Sequence, residues 1–394
     1  MRVLGGILLV AGTTIGAGML ALPVATGVAG FFPSLALLLV CWAFMTFAAL
    51  LFLEVSLACG TGTNLITMAR KTLGPIGEGV AWLSYLMLLY ALTAAYIAGC
   101  GPLLLQGFCS LLGVALPEWV APLPFVVIFG SFVYLGTKPV DWINRLLMLG
   151  LVLCYVVLVV VIGPHVRADL LLQGKLAGVA TAFPVVFTTF GFAIIVPSLV
   201  TYLKGNVKQL RMVVIVGSLI PLIVFVLWEL LIMGVIPLEG LRAMLDQGQP
   251  TRDLALTLDA LLHKGWIGLL AAFFSFFAIV TSFLGVSLSL SDFLADGLRI
   301  KRTQVGRLLT SLLTFIPPLI FVWLYPRGFI LALEYAGVFV AILLGILPAA
   351  MAWASRKRHA AVSYRLVGGR MSLIAVMVFF AAVIVFESVR HFQS

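Results

Sequence analysis

Charge is scarce in this chain, and so are the residues on which most enzyme chemistry depends. Only 10% of its 394 residues are charged, and it holds 14 acidic residues, four histidines and five cysteines. So few charges cannot clothe a water-exposed surface, which excludes a soluble globular fold. The histidines (His165, His263, His359 and His391) fall in connecting segments or at the tail. Neither H-E-x-x-H nor G-x-S-x-G occurs, so the commonest metal-hydrolase and nucleophile patterns are absent. Cys41, Cys59, Cys100, Cys109 and Cys154 lie within or beside apolar runs without C-x-x-C spacing, and read as packing residues. The net charge is +10, but no basic patch is interleaved with aromatics, so nucleic acid is not an expected partner.

What the chain has in abundance is apolar length. It is 63% hydrophobic, and runs long enough to cross a bilayer recur from end to end. The reading is an all-α polytopic membrane protein with the lipid bilayer as its solvent. Eleven spans are predicted, at roughly 3–27, 32–59, 76–104, 119–137, 142–163, 178–202, 211–235, 265–292, 305–325, 328–353 and 371–389, each near the ~20 residues a bilayer requires. The first run leads into a glycine-rich interruption with no small-residue cleavage site behind it, so it reads as a span and not as a removable signal. Residues 1–163 and 164–353 form two five-span halves, and 354–394 add a loop and the eleventh helix. Five crossings per half force the second half to be inverted relative to the first. The outer connection, 236–264, carries Leu254, Leu258, Leu261 and Leu262 at helical spacing and predicts a short amphipathic helix over the vestibule.

Lysine and arginine set the orientation. Arg70 with Lys71, Lys138 with Arg145, Lys204 with Lys208 and Arg211, Arg299 to Arg307, and Arg356 to Arg370 share one side with Arg2. The other side holds only Arg167, Lys175, Arg242, Arg252, Lys264, Arg327 and Arg390. The N-terminus is therefore expected in the cytoplasm and the C-terminus outside.

Each half opens on an interrupted span. The first reads Gly12-Thr13-Thr14-Ile15-Gly16-Ala17-Gly18, and the second Phe187-Thr188-Thr189-Phe190-Gly191-Phe192 between Pro184 and Pro197. A helix broken within the bilayer frees peptide groups that only protein or a wet cavity can satisfy. Paired breaks in corresponding positions point to a transporter's binding site. At the first break, N–H groups near Gly16 to Met19 suit a carboxylate, and carbonyls near Ala11 to Ile15 suit an amino group or a cation. The competing reading of Gly12-x-x-x-Gly16 is a small-residue packing face. At the second break, Thr188, Thr189 and Gly191 offer hydroxyls and bare backbone, and Phe187 and Phe190 either line a pocket for a ring or pack the interior.

Further candidates lie on other spans. Ala278-x-x-Thr281-Ser282 places two hydroxyls and a carbonyl together. With the carbonyls of Gly12 and Ile15 they make a candidate five-oxygen Na⁺ site, unless the hydroxyls bond back to their own helix. Tyr90, Thr93 and Tyr96 recur at i, i+3 and i+6, roughly one face, for substrate contact or for packing. Ionisable groups within spans are functional by default. Glu54 lies toward the inner end of its span, while Glu229 and Glu334 are the proton or gate candidates.

The strings Gly12 to Pro23, Tyr90 to Tyr96, Phe187 to Phe192 with Val196-Pro-Ser198, Thr281 to Gly285 and Tyr325-Pro-Arg-Gly-Phe329 resemble the hydroxy/aromatic amino acid permease family, and its tyrosine-specific branch most. The resemblance implies an eleven-span, leucine-transporter-like inverted-repeat fold. It also implies proton-driven import of aromatic amino acids across a bacterial inner membrane. The Ala278-x-x-Thr281-Ser282 pattern resembles the second sodium site of sodium-coupled transporters of that fold. Proton-coupled relatives often carry a lysine midway along the fifth span, whereas this chain has Leu151 there. Coupling to H⁺ by another group and coupling to Na⁺ both stay open. The expected activity is symport of tyrosine, or of tryptophan or phenylalanine, with no cofactor besides the coupling ion. The alternatives are a membrane channel and an intramembrane enzyme acting on a small amphiphile.

Overall fold

The computed structural model describes residues 2–112, 117–174, 178–247, 250–262, 265–301, 303–358 and 364–393, with side chains except at 106–112, 118, 180–181, 250, 358 and 390–393. His263, His359, Lys175, Lys264 and Arg302 lie outside the described residues, as do the side chains of Cys109, Arg390 and His391. Among the described residues there are helices and no strands. They run α1 Arg2–Thr14, α2 Gly18–Gly27, α3 Phe31–Cys59, α4 Leu65–Leu112, α5 Pro122–Leu135, α6 Thr137–Ile162, α7 Ala168–Leu171, α8 Val179–Thr189, α9 Val196–Tyr202, α10 Val207–Met233, α11 Leu238–Gln247, α12 Pro250–Leu262, α13 Gly265–Gly297, α14 Gln304–Leu324, α15 Phe329–Val340, α16 Leu347–Arg358 and α17 Gly369–Gln393.

Among the described residues nine helical stretches are long and apolar enough to cross a bilayer, and α1 with α2 makes a tenth span bent by 54°. The fourth predicted span is the exception. α5 has 14 residues, about 21 Å of helix against a hydrocarbon core of about 30 Å. α4 is two helices joined at Gly74 (φ 77°), where the backbone leaves the helical conformation, so a short helical segment from Leu65 precedes the predicted third span. The tenth span joins α15 to α16 through a π-helical stretch, Ala341–Ile346.

The packing carries the inverted repeat. Counting spans in order, the third packs on the tenth (α4 on α15) and the eighth on the fifth (α13 on α6). The first packs on the seventh (α1 on α10), and the sixth on the second (α8 and α9 on α3). The third and eighth meet each other, as do the second and seventh. Exchanging span n with n+5 returns these pairs, as a pseudo-twofold relation between two five-span halves requires, while the contact of the sixth span with the tenth (α8 on α15) has no comparable counterpart between the first and the fifth. α17 lies outside this scheme, against α16 and the π-helical stretch.

One sequence expectation changes here. The outer connection holds two helices where one was expected. α11 packs on α2, and α12 on α13 and α4. Leu254 and Leu258 are buried as the spacing predicted, whereas Leu261 is 42% exposed. Glu54 is a structural residue: Arg356 meets its two carboxylate oxygens at 2.7 Å each, and the Leu366 N–H donates to Oε2 at 2.8 Å. A carboxylate so completely paired clamps α3 to the end of α16, and stripping one partner from such a buried pair costs about 3–5 kcal/mol.

Candidate functional site

The break in the first span follows from its glycines. The i→i−4 ladder ends with the Ile15 N–H donating to Ala11 O (2.9 Å), and the next helix starts on the tighter bonds Met19 N–H to Gly16 O and Leu20 N–H to Ala17 O, both 3.1 Å. Between them the Ala17 N–H donates to Ser282 Oγ of α13 at 3.1 Å, and Ser282 and Tyr96 of α4 both line the cavity described below. A Cβ at Gly16 would collide with Ser282 Oγ, and one at Gly18 would lie 2.7 Å from Thr189 Cγ2. These glycines give α13 and α8 room to approach the bend. The expectation that Gly16 to Met19 present free N–H groups is thereby narrowed, since those of Ala17 and Met19 already have acceptors.

The second interruption is milder than predicted. α8 gives way at Phe190 (φ −98°, ψ 27°) to a 3₁₀ turn, Gly191–Ile195, which leads into α9. The span continues across it, because the Phe190 N–H finds Phe187 O at 3.1 Å. The phenylalanines pack in the interior and are not part of the cavity wall described below. Phe187 packs on Phe380 (5.1 Å between centroids) and Phe190 on Phe225 (5.4 Å), and both are fully buried. Thr188 Oγ1 lies 2.9 Å from Pro184 O and 3.1 Å from Leu333 O, and Thr189 donates to Val186 O. Gly191 faces open space.

A cavity of about 660 Å³ ends at these two interruptions. It takes Gly12, Thr13 and Ile15 from the first, and Thr188 and Gly191 from the second. From there it extends along Leu8 and Leu9 of α1, Asn144 and Met148 of α6, Ser198 of α9 and Ser289 of α13. All of these lie toward the membrane face that holds the start of α1, so the cavity runs from the break to the N-terminal face. Thr14, Ala17 and Gly18 do not line it: Thr14 is buried with its hydroxyl on Val10 O, and Ala17 is fully buried.

The tyrosine pattern is corrected by helix geometry. Six residues advance an α-helix by about 600°, which leaves Tyr96 about 120° from Tyr90. Tyr96 lines the cavity. Tyr90 instead donates to Leu313 O of α14 at 2.8 Å, and Thr93 to Leu89 O at 2.7 Å. The cavity face of α4 is Tyr85, Leu88, Leu89, Leu92 and Tyr96. That face was readable as a 3–4 repeat. So was the small-residue stripe Thr281, Ser282, Gly285 and Ser289 on α13, all of it cavity lining. Asn144, with Oδ1 buried and unpartnered, carried no local signal.

The candidate cation ligands are near one another but engaged. Thr281 Oγ1 lies 2.8 Å from Phe277 O and 3.1 Å from Ala278 O, bonded back to its own helix. Ser282 Oγ accepts the Ala17 N–H. Gly12, Ile15, Thr281 and Ser282 line the cavity and Ala278 is buried behind them. Leu151 is buried in α6. Glu229 and Glu334 stand apart from the cavity lining. Glu229 is fully buried in α10, 2.8 Å from Thr26 Oγ1 of α2, and Glu334 is half-buried in α15.

Comparison with known proteins adds three relatives along almost the whole chain. The tyrosine-specific transport system 1 of Haemophilus influenzae is 40% identical over 96% of this chain and 94% of its own. A tryptophan-specific transport protein of Pseudomonas aeruginosa is 35% identical over 95% and 92%, and glutamine transporter 2 of Aliivibrio fischeri 32% over 91% and 90%. The crystal structure of MhsT in complex with L-phenylalanine matches in fold with a TM-score of 0.67, covering 97% of each chain at 13% identity. The fold is therefore that of a multi-pass membrane transporter and not of an enzyme. The profile of the tryptophan/tyrosine permease family matches residues 1–387, and the chain belongs to that family.

Proposed function

We propose that this protein is a secondary active importer of aromatic amino acids in a bacterial inner membrane. Tyrosine is the first choice of substrate, with tryptophan and phenylalanine as alternatives, and an inward H⁺ or Na⁺ gradient drives it by alternating access. The observation that carries the reading is the cavity ending at the bent first span, in a chain whose relatives include proteins named for tyrosine and tryptophan transport. In this reading the substrate ammonium meets carbonyls around Gly12 to Ile15. Its carboxylate meets N–H groups around Gly16 and the hydroxyls of Ser282 and Tyr96. Its ring lies against apolar wall residues such as Leu88, Leu92, Ile194 and Leu344, which take the part first given to the phenylalanines. With the N-terminus cytoplasmic, the cavity is the inward-facing state, and movement between halves 1–163 and 164–353 exposes the site to the other side. A tag after Ser394 is then reachable from outside intact cells.

A relative named for glutamine transport spans the same helices, so the wall residues, and not the fold, set the substrate. The test is uptake of labelled tyrosine into proteoliposomes under separately imposed pH and Na⁺ gradients, with tryptophan, phenylalanine and glutamine as competitors. Accumulation under one gradient, competed by aromatics and not by glutamine, is expected. Uptake that ignores both gradients removes symport.

A further inference from the structure

Glu229 is buried among apolar groups, yet it forms no ion pair among the described residues. One carboxylate oxygen lies 2.8 Å from Thr26 Oγ1, and the other has no hydrogen-bond partner. Thr26 is fully buried too, and its Oγ1 lies 2.7 Å from Leu22 O, one turn back along α2. A threonine hydroxyl has one proton and here has two oxygens within bonding distance. A carbonyl oxygen can only accept. If Glu229 were ionised it could also only accept, and one of the two short contacts would be left without a hydrogen between its oxygens. Both are satisfied when Glu229 carries a proton and donates it to Thr26 Oγ1, while Thr26 donates to Leu22 O.

The surroundings agree. α10 packs against α1, α2, α3, α6 and α7. Its Trp228 and Phe225 pack on Phe274 of α13 and on Phe190, and α13 has no ionisable residue before Asp292. α2 has no ionisable residue, and α1 offers only Arg2 at its far end. On α3, Glu54 is held by Arg356, and Cys41 and Cys59 are uncharged thiols. On α6, Asp141 and Arg145 pair with each other at the distant end, beside Lys138, and the Tyr155 hydroxyl donates to Val224 O. Asp169 of α7 is paired with Arg167, both exposed. Lys208 and Arg211 stand at the opposite end of α10, and Glu239 and Arg242 of α11 are exposed. None of these cations reaches Glu229, so a negative charge there would be buried without compensation.

We propose that Glu229 is the proton-binding site of this transporter, and that the Glu229–Thr26–Leu22 chain latches α2 against α10 while the protein faces inward. This rests on the transport reading above. α2 is the half-helix that must leave α10 for the opposite side of the membrane to open. Its departure breaks the latch and wets the carboxyl. Glu229 then takes a proton from the outer solution before α2 can seal again. Loss of that proton to the inner side after substrate release frees the latch and lets the empty carrier turn outward, so each cycle carries one proton inward with the substrate.

Glu229→Gln keeps a donor toward Thr26 but cannot release a proton. In proteoliposomes, counterflow exchange of labelled tyrosine needs no gradient, and accumulation under an imposed pH gradient needs coupling. The variant is expected to retain counterflow and to lose pH-driven accumulation. Wild-type accumulation by the variant overturns the proposal, as does a wild-type protein that accumulates tyrosine under Na⁺ and never under a pH gradient. A wild-type protein showing neither counterflow nor accumulation overturns the transport reading, and the proposal with it. Infrared difference spectra of the wild type give a readout independent of that variant's folding. A protonated-carboxyl C=O band that shifts in Thr26→Val is expected. The absence of such a band, or one indifferent to Thr26→Val, overturns the proposal.

Discussion

The two halves of the first span make opposite use of similar sequence. Both are apolar and glycine-containing, but α1 buries only Gly6, Val10, Ala11 and Thr14, whereas every residue of α2 from Met19 to Gly27 is buried. The difference lies in the neighbours. α2 is enclosed by α8, α10 and α11, while α1 borders the cavity with Leu8, Leu9, Gly12 and Thr13. A 54° bend separates a wall that is open from a plug that is sealed, although both are apolar in sequence. A helix apolar all round is at home where it is enclosed on every side.

Charge insertion breaks the comparison most severely. Leu22→Asp puts a carboxyl in the fully buried heart of α2, at a cost of about 3 kcal/mol or more. Thr13→Asp puts one at an exposed, cavity-lining position. Thermal melting of the purified proteins should show Leu22→Asp strongly destabilised or not recoverable and Thr13→Asp near wild type. Equal melting of the two would deny that the halves differ. Glycine replacement is next in size. A Cβ at Gly18 meets Thr189 Cγ2 at 2.7 Å, whereas one at Gly12 meets only the flexible Met148 Cε, at 3.9 Å. Gly18→Val should cost about 1–3 kcal/mol by overpacking and Gly12→Val less, again read by melting.

Two smaller effects probe the lid over α2. Thr251 of α12 donates to Gly99 O at 2.8 Å. Thr251→Val, nearly isosteric, should lose about 1 kcal/mol. An unchanged melting temperature would mean that this bond does not help hold the outer side shut. Asp253, on the same helix, has its carboxyl raised above the usual range by burial, against the opposing pull of Arg252 and Arg327. For an acid raised on folding, ionisation costs stability above both its folded and unfolded values, and the cost vanishes below the unfolded one. Asp253→Asn should therefore melt slightly higher than wild type at neutral pH, with the advantage fading as the pH falls through the carboxylate range. An advantage that grows on acidification would reverse that sign.

Local features were legible in the sequence and long-range ones were not. The first break is written in Gly12, Gly16 and Gly18, because glycine spacing acts on its own turn of helix. The second carries no comparable string, and its phenylalanines looked available for a ring. Their true partners, Phe380 and Phe225, lie on other helices. The Glu54 clamp could not be read either, since Arg356 is 302 residues away. Tyr90 was a misjudged helical angle, correctable without coordinates. Thr281 followed the ordinary habit of a threonine in a membrane helix, bonding back to its own turn. The outer helices were legible but half-read: leucine spacing found the buried side of α12, while the stripe Leu238, Leu241, Met244 and Leu245 that marks α11 was passed over.

The most direct test uses Thr13→Cys in a background without the native cysteines, reconstituted in sealed vesicles of known orientation. A membrane-impermeant thiol reagent applied to the N-terminal face should alkylate it, excess tyrosine should slow that reaction, and a cysteine at Leu22 should stay unreacted from both faces. Labelling of Thr13→Cys that no aromatic amino acid slows, or equal labelling at Leu22, would contradict a substrate site at the bend of the first span.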